Sequence, residues 1–183
     1  MKKILIGTHN NGKFKELSYL ISSKIKKISP KKLNIESPKE TGKTFSSNAI
    51  LKAKYFSKFS NLPVISDDSG LCIKALEQRP GIYSARWAKR HGSFLKAMKF
   101  ILRKMKKKNN RSATFVCSLS IIVPKKKIIV VTGKIKGSIS KKIIGKNGFG
   151  YDPIFIPFSK NITFGQMSKL KKIKMDHRYI AFK

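Results

Sequence analysis

Short apolar runs and helical stripes take turns along this chain. Lys3 to Gly7 reads as a strand, with Ile4, Leu5 and Ile6 closed by a glycine. From Lys13 to Ser23, Phe14, Leu17, Leu20 and Ile21 recur at helical spacing. Residues 24–37 alternate Ile and Lys as a connecting strand, and 38–42 make a loop. Residues 45–59 carry the stripe of an amphipathic helix, with Ser46, Ser47 and Asn48 as candidate caps in its first turns. Pro63-Val64-Ile65 enters as a buried strand, then gives way at Ser66 to Asp67-Asp68-Ser69-Gly70, and 71–76 resumes as strand. Ser93 to Lys106 is a further helix, with Phe94, Met98, Ile101 and Met105 on its apolar face. The β-branched stretches 113–123 and 127–139 read as a long antiparallel hairpin turning at residues 124–127. A short strand over 154–156 and a helix opened by 164–168 follow.

Composition adds a size and a sign. A chain of 183 residues with 40% hydrophobic content suits one globular domain, 1–183, without repeats or an interdomain linker. No run reaches the roughly 18 uninterrupted apolar residues of a membrane span, and the first apolar run is too short for a signal peptide. Cys72 and Cys117 both lie in apolar runs and read as buried thiols, which implies a cytoplasmic protein. The formal charge is +34, from 42 basic and 8 acidic side chains. Only six of the basic residues are Arg, and the lysines spread over nearly every segment alongside Ile and Asn. That is a compositional background, implying nucleic-acid contact only of a nonspecific kind.

Against this background a few stretches carry candidate chemistry. Asp67 and Asp68 stand side by side where a buried strand gives out, the end of a strand at which α/β proteins collect ligands. Neighbouring carboxylates repel unless a metal ion or proton offsets them; an ordinary Asx-type turn is the competing reading. Thr8-His9-Asn10-Asn11-Gly12-Lys13 joins a strand to a helix N-terminus, which makes either a simple turn or an anion site. Glu40 is a loop acid before the second helix, either solvated or a metal ligand. Residues 145–153 form a loop of three glycines with Phe149, Tyr151 and Asp152, able to offer a stacking ring or to tuck Phe149 inward. Lys106 to Arg111 is an exposed basic loop. Together these features point to metal-assisted attack of water on a nucleotide phosphate.

In their order and wording the motifs resemble the Ham1-like family of inosine and xanthosine triphosphate pyrophosphatases, nearly end to end. The resemblance rests on residues 8–17, 40–45 with Asn48 and Ala49, 66–71, 80–86, 148–153 and 177–178. It implies an α/β fold: an elongated mixed β-sheet flanked by helices, in two lobes with a central cleft, usually as a homodimer. It implies hydrolysis of non-standard purine nucleoside triphosphates (ITP, dITP, XTP, dXTP) to the monophosphate and pyrophosphate with Mg²⁺. By resemblance Asp68 is general base and metal ligand, Glu40 a second ligand and Asp67 a support. Thr8, His9, Asn10, Asn11, Gly12 and Lys13 line the phosphate side, and Ser69 contacts substrate. Phe149, Gly150, Tyr151 and Asp152 form the base pocket, over which Lys172, His177 and Arg178 close. Asp176 is placed to pair with Arg178. The alternatives are a Maf-like pyrophosphatase of modified or pyrimidine nucleotides and a basic nucleic-acid-binding protein.

Overall fold

The computed structural model describes residues 2–124 and 126–183; Met1 and Lys125, the latter in the expected 124–127 turn, lie outside it. The chain builds two compact units. One comprises Met1–Asp68, Cys117–Gly133 and Arg178–Lys183, the other Ser69–Val116 and Lys134–His177. Their segments interleave along the sequence, so neither is a contiguous stretch. The strands, in chain order, are β1 (Lys3–Ile6), β2 (Lys26–Ile28), β3 (Val64–Ile73), β4 (Arg79–Pro80), β5 (Ser112–Ile122), β6 (Ile129–Ile139) and β7 (Phe155–Pro157). They form one sheet of order β2-β1-β3-β5-β6-β7, with β4 added beside β3. β1 pairs parallel with β2 and β3, whereas β4 on β3 and β7 on β6 are antiparallel, so the sheet is mixed as expected.

In the first unit the alternation of strand side chains decides which helix covers which face. Ile6 and Ile65 point with Cys117 and Leu119 toward Leu17 and Ile21 of α1 (Asn11–Leu20), and toward Ala181 of α6 (His177–Phe182). Leu5 and Val64, one residue out of phase, pack with Ile122 against Ala53 and Phe56 of α2 (Phe45–Ser60). The second unit has its own core. Leu71, Ile73, Phe115, Ile139, Tyr151, Phe155 and Phe164 gather with Ala97, Met98 and Ile101 of α4 (Phe94–Lys104) and Ala88 of α3 (Ser84–Arg90). The last helix of this unit is α5 (Lys169–Ile173), capped by the Ser168 side chain, which accepts from the Lys171 amide.

Several boundaries differ from the sequence reading, each for a local reason. The strand expected over 24–37 is confined to β2, because Pro30 starts a 3₁₀ turn that ends on Asn34 in the left-handed region. The cap of α2 is Thr44, not a residue inside the helix: its hydroxyl accepts from the Ser47 amide while the Ser47 hydroxyl accepts from the Thr44 amide, both at 3.0 Å. That capping box frees Asn48 for another role. The expected helix over 13–23 stops at Leu20, and the helix expected from residue 164 starts at Lys169.

Candidate active site

The acidic pair does not end a strand. β3 runs without a break from Val64 to Ile73, straight through Asp67 and Asp68. The strand-then-turn expectation is therefore corrected, and the reason is geometric. Successive side chains of an extended strand leave on opposite faces, so two adjacent acids need not face each other. Asp67 follows Ile65 onto the α1 face, where it meets Lys13 Nζ at 3.1 Å and Arg178 Nη2 at 3.0 Å. Asp68 follows Val64 onto the α2 face, where it accepts from Asn48 Nδ2 at 3.1 Å and from Lys52 Nζ at 3.4 Å.

The two faces push the two carboxyls apart. Burial acts to raise the pKa of Asp67, which is completely covered, but Lys13, Arg178 and Lys52 overwhelm that effect and hold it far below the usual carboxylate range. At Asp68, burial prevails over the attraction of Lys52 and Lys13 and is helped by the negative Glu40, so this carboxyl sits above its ordinary value. A pair of acids tuned in opposite senses is a hallmark of divided labour: one stays a permanent anion, the other can exchange a proton.

Glu40 belongs to the Asp68 side. Its Oε1 accepts from Lys52 Nζ at 2.7 Å, so one ammonium touches both carboxylates expected to bind metal. Burial works against a charged Lys52, yet Asp68, Asp67 and Glu40 together raise its pKa. Glu40 and Asp68 thus converge on a single cation position. Two carboxylate oxygens are what Mg²⁺ uses when phosphates and waters complete its shell. Among the described residues no group of three or more His, Cys, Asp or Glu side chains is arranged to hold a metal. On this donor chemistry the residues fit the ion.

Of the expected turn over residues 8–13 only 8–10 precede α1, and Asn11, Gly12 and Lys13 form the first turn of that helix. Asn10 is the N-cap, its Oδ1 accepting from the Lys13 amide at 3.0 Å, and Thr8 Oγ1 accepts from the Asn10 amide at 3.1 Å. Both side-chain oxygens accept inside the loop, and the Thr8 hydroxyl hydrogen and the Asn10 amide hydrogens are the parts suited to an anion. Asn11 is exposed, and Gly12 and Lys13 are half-buried. His9 is exposed; its Nδ1 lies 2.6 Å from the Ser37 hydroxyl. Just before this loop, Gly7 packs so tightly that an added Cβ would strike Ser66 Oγ and the Phe56 ring.

Lys52, which the sequence did not single out, belongs to this cluster, together with Asn48 and Glu16, which it marked only as a candidate cap and as part of the 8–17 motif. Lys52 and Asn48 sit one turn apart on α2, both buried. Asn48 Oδ1 accepts from the Gly42 amide at 2.8 Å, which turns its amide nitrogen toward Asp68. The available signal was two polar residues at i and i+4 along the edge of the apolar stripe. Glu16, buried on α1, is an ion-pair partner of Arg178.

The remaining site residues lie in the second unit. Lys172, nearly fully buried, pairs with Asp152 at 3.0 Å and Asp176 at 3.6 Å, and its ammonium lies 4.8 Å from the centre of the Phe149 ring. Asp152 Oδ2 also accepts from the Phe149 amide at 2.8 Å. Gly148 makes this possible, since its φ of 74° favours glycine and a Cβ there would strike the Asp152 carboxylate. Asp176 thus joins Lys172, while Arg178 meets Glu16 and Asp67. The His177 ring stacks on Phe115 at 4.8 Å with 10° between planes. Tyr151 is a core ring whose hydroxyl donates to the Ser84 carbonyl at 2.9 Å. Gly150 and Ser69 are half-buried, Ser69 as the β3 residue after Asp68.

Comparison with known proteins converges on one group. The model of the Ham1 family matches residues 4–183. A dITP/XTP pyrophosphatase of Oceanobacillus iheyensis is 43% identical over 183 residues, 97% of this chain and 93% of that protein. Its counterpart in Caulobacter vibrioides is 38% identical over 182 residues, 98% of this chain and 94% of that one. Among solved structures, the Staphylococcus aureus Ham1 protein is 38% identical with a TM-score of 0.87, covering 98% of this chain and 94% of its own. A HAM1 protein from Coxiella burnetii gives 0.89 at 33% identity, with 100% and 95% covered. With its mixed sheet, flanking helices and end-to-end match, the chain belongs to the Ham1 family.

Proposed function

We propose that this chain hydrolyses non-standard purine nucleoside triphosphates, ITP, dITP, XTP and dXTP, to the monophosphate and pyrophosphate. The class of reaction follows from the relatives named dITP/XTP pyrophosphatase, which match over nearly their whole length. The observation that carries the reading is Asp68, a carboxyl raised by burial among Lys52, Lys13 and Glu40 and oriented by Asn48. Such a group is suited to take a proton from water as the water oxygen bonds to the α-phosphorus and the bridge to the β-phosphate breaks. The leaving pyrophosphate carries away the electron pair.

Thr8, Asn10, Asn11, Gly12 and Lys13, with the N-terminus of α1, fit the phosphates, and Lys52 adds a second ammonium. Mg²⁺ held by Glu40 and Asp68 supplies charge neutralisation and substrate alignment when bound. Asp67 acts as a permanent anion that keeps Lys13 and Arg178 in place. On the second unit, Phe149 suits stacking on a base, while Lys172 and His177 favour an acceptor such as a purine 6-oxo group. A 6-amino donor would leave a buried donor unmatched. We also read residues 1–183 as one catalytic domain, a reading supported by the interleaving of its two units. The family resemblance adds the expectation of a homodimer and the composition that of a cytoplasmic protein; among the described residues no helix is long and apolar enough to cross a membrane.

The test is a product-resolved assay with Mg²⁺ on ITP, XTP, dITP, GTP, ATP and dTTP. Monophosphate and pyrophosphate from the first three, at least about tenfold faster than from the rest, is expected. Equal rates on all, release of orthophosphate alone, or preference for dTTP overturns the reading, the last in favour of a Maf-like enzyme.

A further inference from the structure

The second unit carries a basic concavity that takes in most of the basic loop over 106–111 and none of the candidate site residues. Its volume is about 660 Å³, and Leu102, Arg103, Lys106, Lys108, Asn109, Arg111 and Lys141 line it. Five of these seven are cations and none is an acid. Among the described residues none of the five forms an ion pair, whereas the other acids of this unit are engaged: Glu77 by Arg79, and Asp152 and Asp176 by Lys172.

Two ordinary explanations fall short in magnitude. Arg103 lies in the last turn of α4, where basic residues complement the helix dipole, but that end carries only about half an elementary negative charge. A scattered lysine background places cations on every surface, but it does not gather five around one hollow with no carboxylate between them. One member of the array is held in place. Arg111 donates from Nε to the Ile139 carbonyl at 2.6 Å, from Nη2 to that of Ser140 at 2.6 Å, and from Nη1 to that of Met105 at 3.2 Å. One guanidinium therefore ties the end of α4 to the end of β6.

We propose that this concavity binds the sugar-phosphate backbone of duplex nucleic acid without regard to sequence. A single phosphate cannot match five cations. Duplex DNA, with about one negative charge per 1.7 Å of axis, can. The lining has no aromatic ring for stacking unpaired bases, and Asn109 is its only uncharged hydrogen-bonding side chain, so the backbone is what it can read.

The experiment measures anisotropy of two labelled duplexes of unrelated sequence, titrated with the full chain at 50 to 200 mM salt. The wild type is expected to bind both within threefold, with a slope of log affinity on log salt near −4, as four to five phosphate contacts imply. Replacing Lys106, Lys108 and Lys141 together by Ala should flatten the slope by about 2 to 3 and weaken binding at least about 30-fold at low salt. A charge-matched control, Lys24, Lys31 and Lys32 to Ala on exposed positions of the first unit, should stay within threefold of wild type. Both triple variants are checked for an unchanged melting temperature and unchanged nucleotide turnover. No binding by the wild type, equal losses in control and patch variants, or displacement of duplex by inorganic polyphosphate at far lower phosphate concentration each overturns the proposal.

Discussion

Replacing Asp67 by Asn tests the division of labour between the two neighbouring carboxylates. Asp67 is completely buried and receives Lys13 at 3.1 Å and Arg178 at 3.0 Å, with Arg178 itself 1% exposed. Removing one partner of a buried ion pair typically costs about 3–5 kcal/mol, because the other charge is left in the interior. Lys13 is partly exposed and Arg178 keeps Glu16, so the lower end applies, about 3 kcal/mol. For a chain of this size each kcal/mol moves the melting temperature by about 2–4 °C, giving a fall of about 6–12 °C. Asp68→Asn is the comparator. It removes a charge that burial already disfavours, and Lys52 retains Glu40 at 2.7 Å, so stability should move by about 1 kcal/mol or less. Its turnover should instead fall by about 10³-fold, within the range of a lost general base. Thermal unfolding by circular dichroism and pyrophosphate release well below both melting temperatures read the two effects separately. A melting temperature for Asp67→Asn within 2 °C of wild type, equal destabilisation by both changes, or turnover by Asp68→Asn within tenfold of wild type would refute the assignment.

Acid should expose the same asymmetry. The folded-state pKa of Asp67 lies far below its unfolded value of about 3.9, so its contribution is complete above that pH and disappears as pH falls beneath it. Urea midpoints measured from pH 6 to 3 should therefore drop more steeply below about pH 4 in wild type than in Asp67→Asn. Lys52→Met should lower kcat/KM about 100-fold through loss of a charge-assisted phosphate contact, and an unchanged value would remove Lys52 from the site. Gly7→Ala should destabilise by about 1–3 kcal/mol through overpacking, and Ser66→Gly in the same chain should restore part of that; no recovery would mean that the Phe56 ring sets the limit.

The sequence was most readable where a local rule acts alone. The stripe of α2 and the entry of β3 follow directly from periodicity, and the end of the loop before α1 follows from the cap Asn10. Asp67 and Asp68 looked like a turn because Asp and Ser in succession favour one. What overrides that tendency is tertiary: Lys13, Arg178, Lys52 and Asn48 arrive from elements far off in sequence and satisfy both acids within an extended strand. Lys52 escaped notice for a related reason, since a lysine beside an apolar stripe is usually solvated and only Glu40 and Asp68 make this one a buried cation. Tyr151 shows the converse. Its glycine-rich neighbourhood marks a loop, and only the packing against Phe94 reveals a core ring.

Strand β3 also limits which changes in chain length the site can absorb. The pleat sorts residues by odd and even position, and Asp67 and Asp68 owe their different partners to that parity alone. Inserting or deleting one residue between Val64 and Ser66 would carry the proton-exchanging acid to the α1 face and its permanently charged neighbour to the α2 face. Every apolar side chain after the change would be turned with them. A two-residue change keeps each side chain on its face and only slides the register. Length variation that leaves the chemistry intact is therefore confined to even steps within this strand, or to loops such as 38–42 where no pleat keeps count.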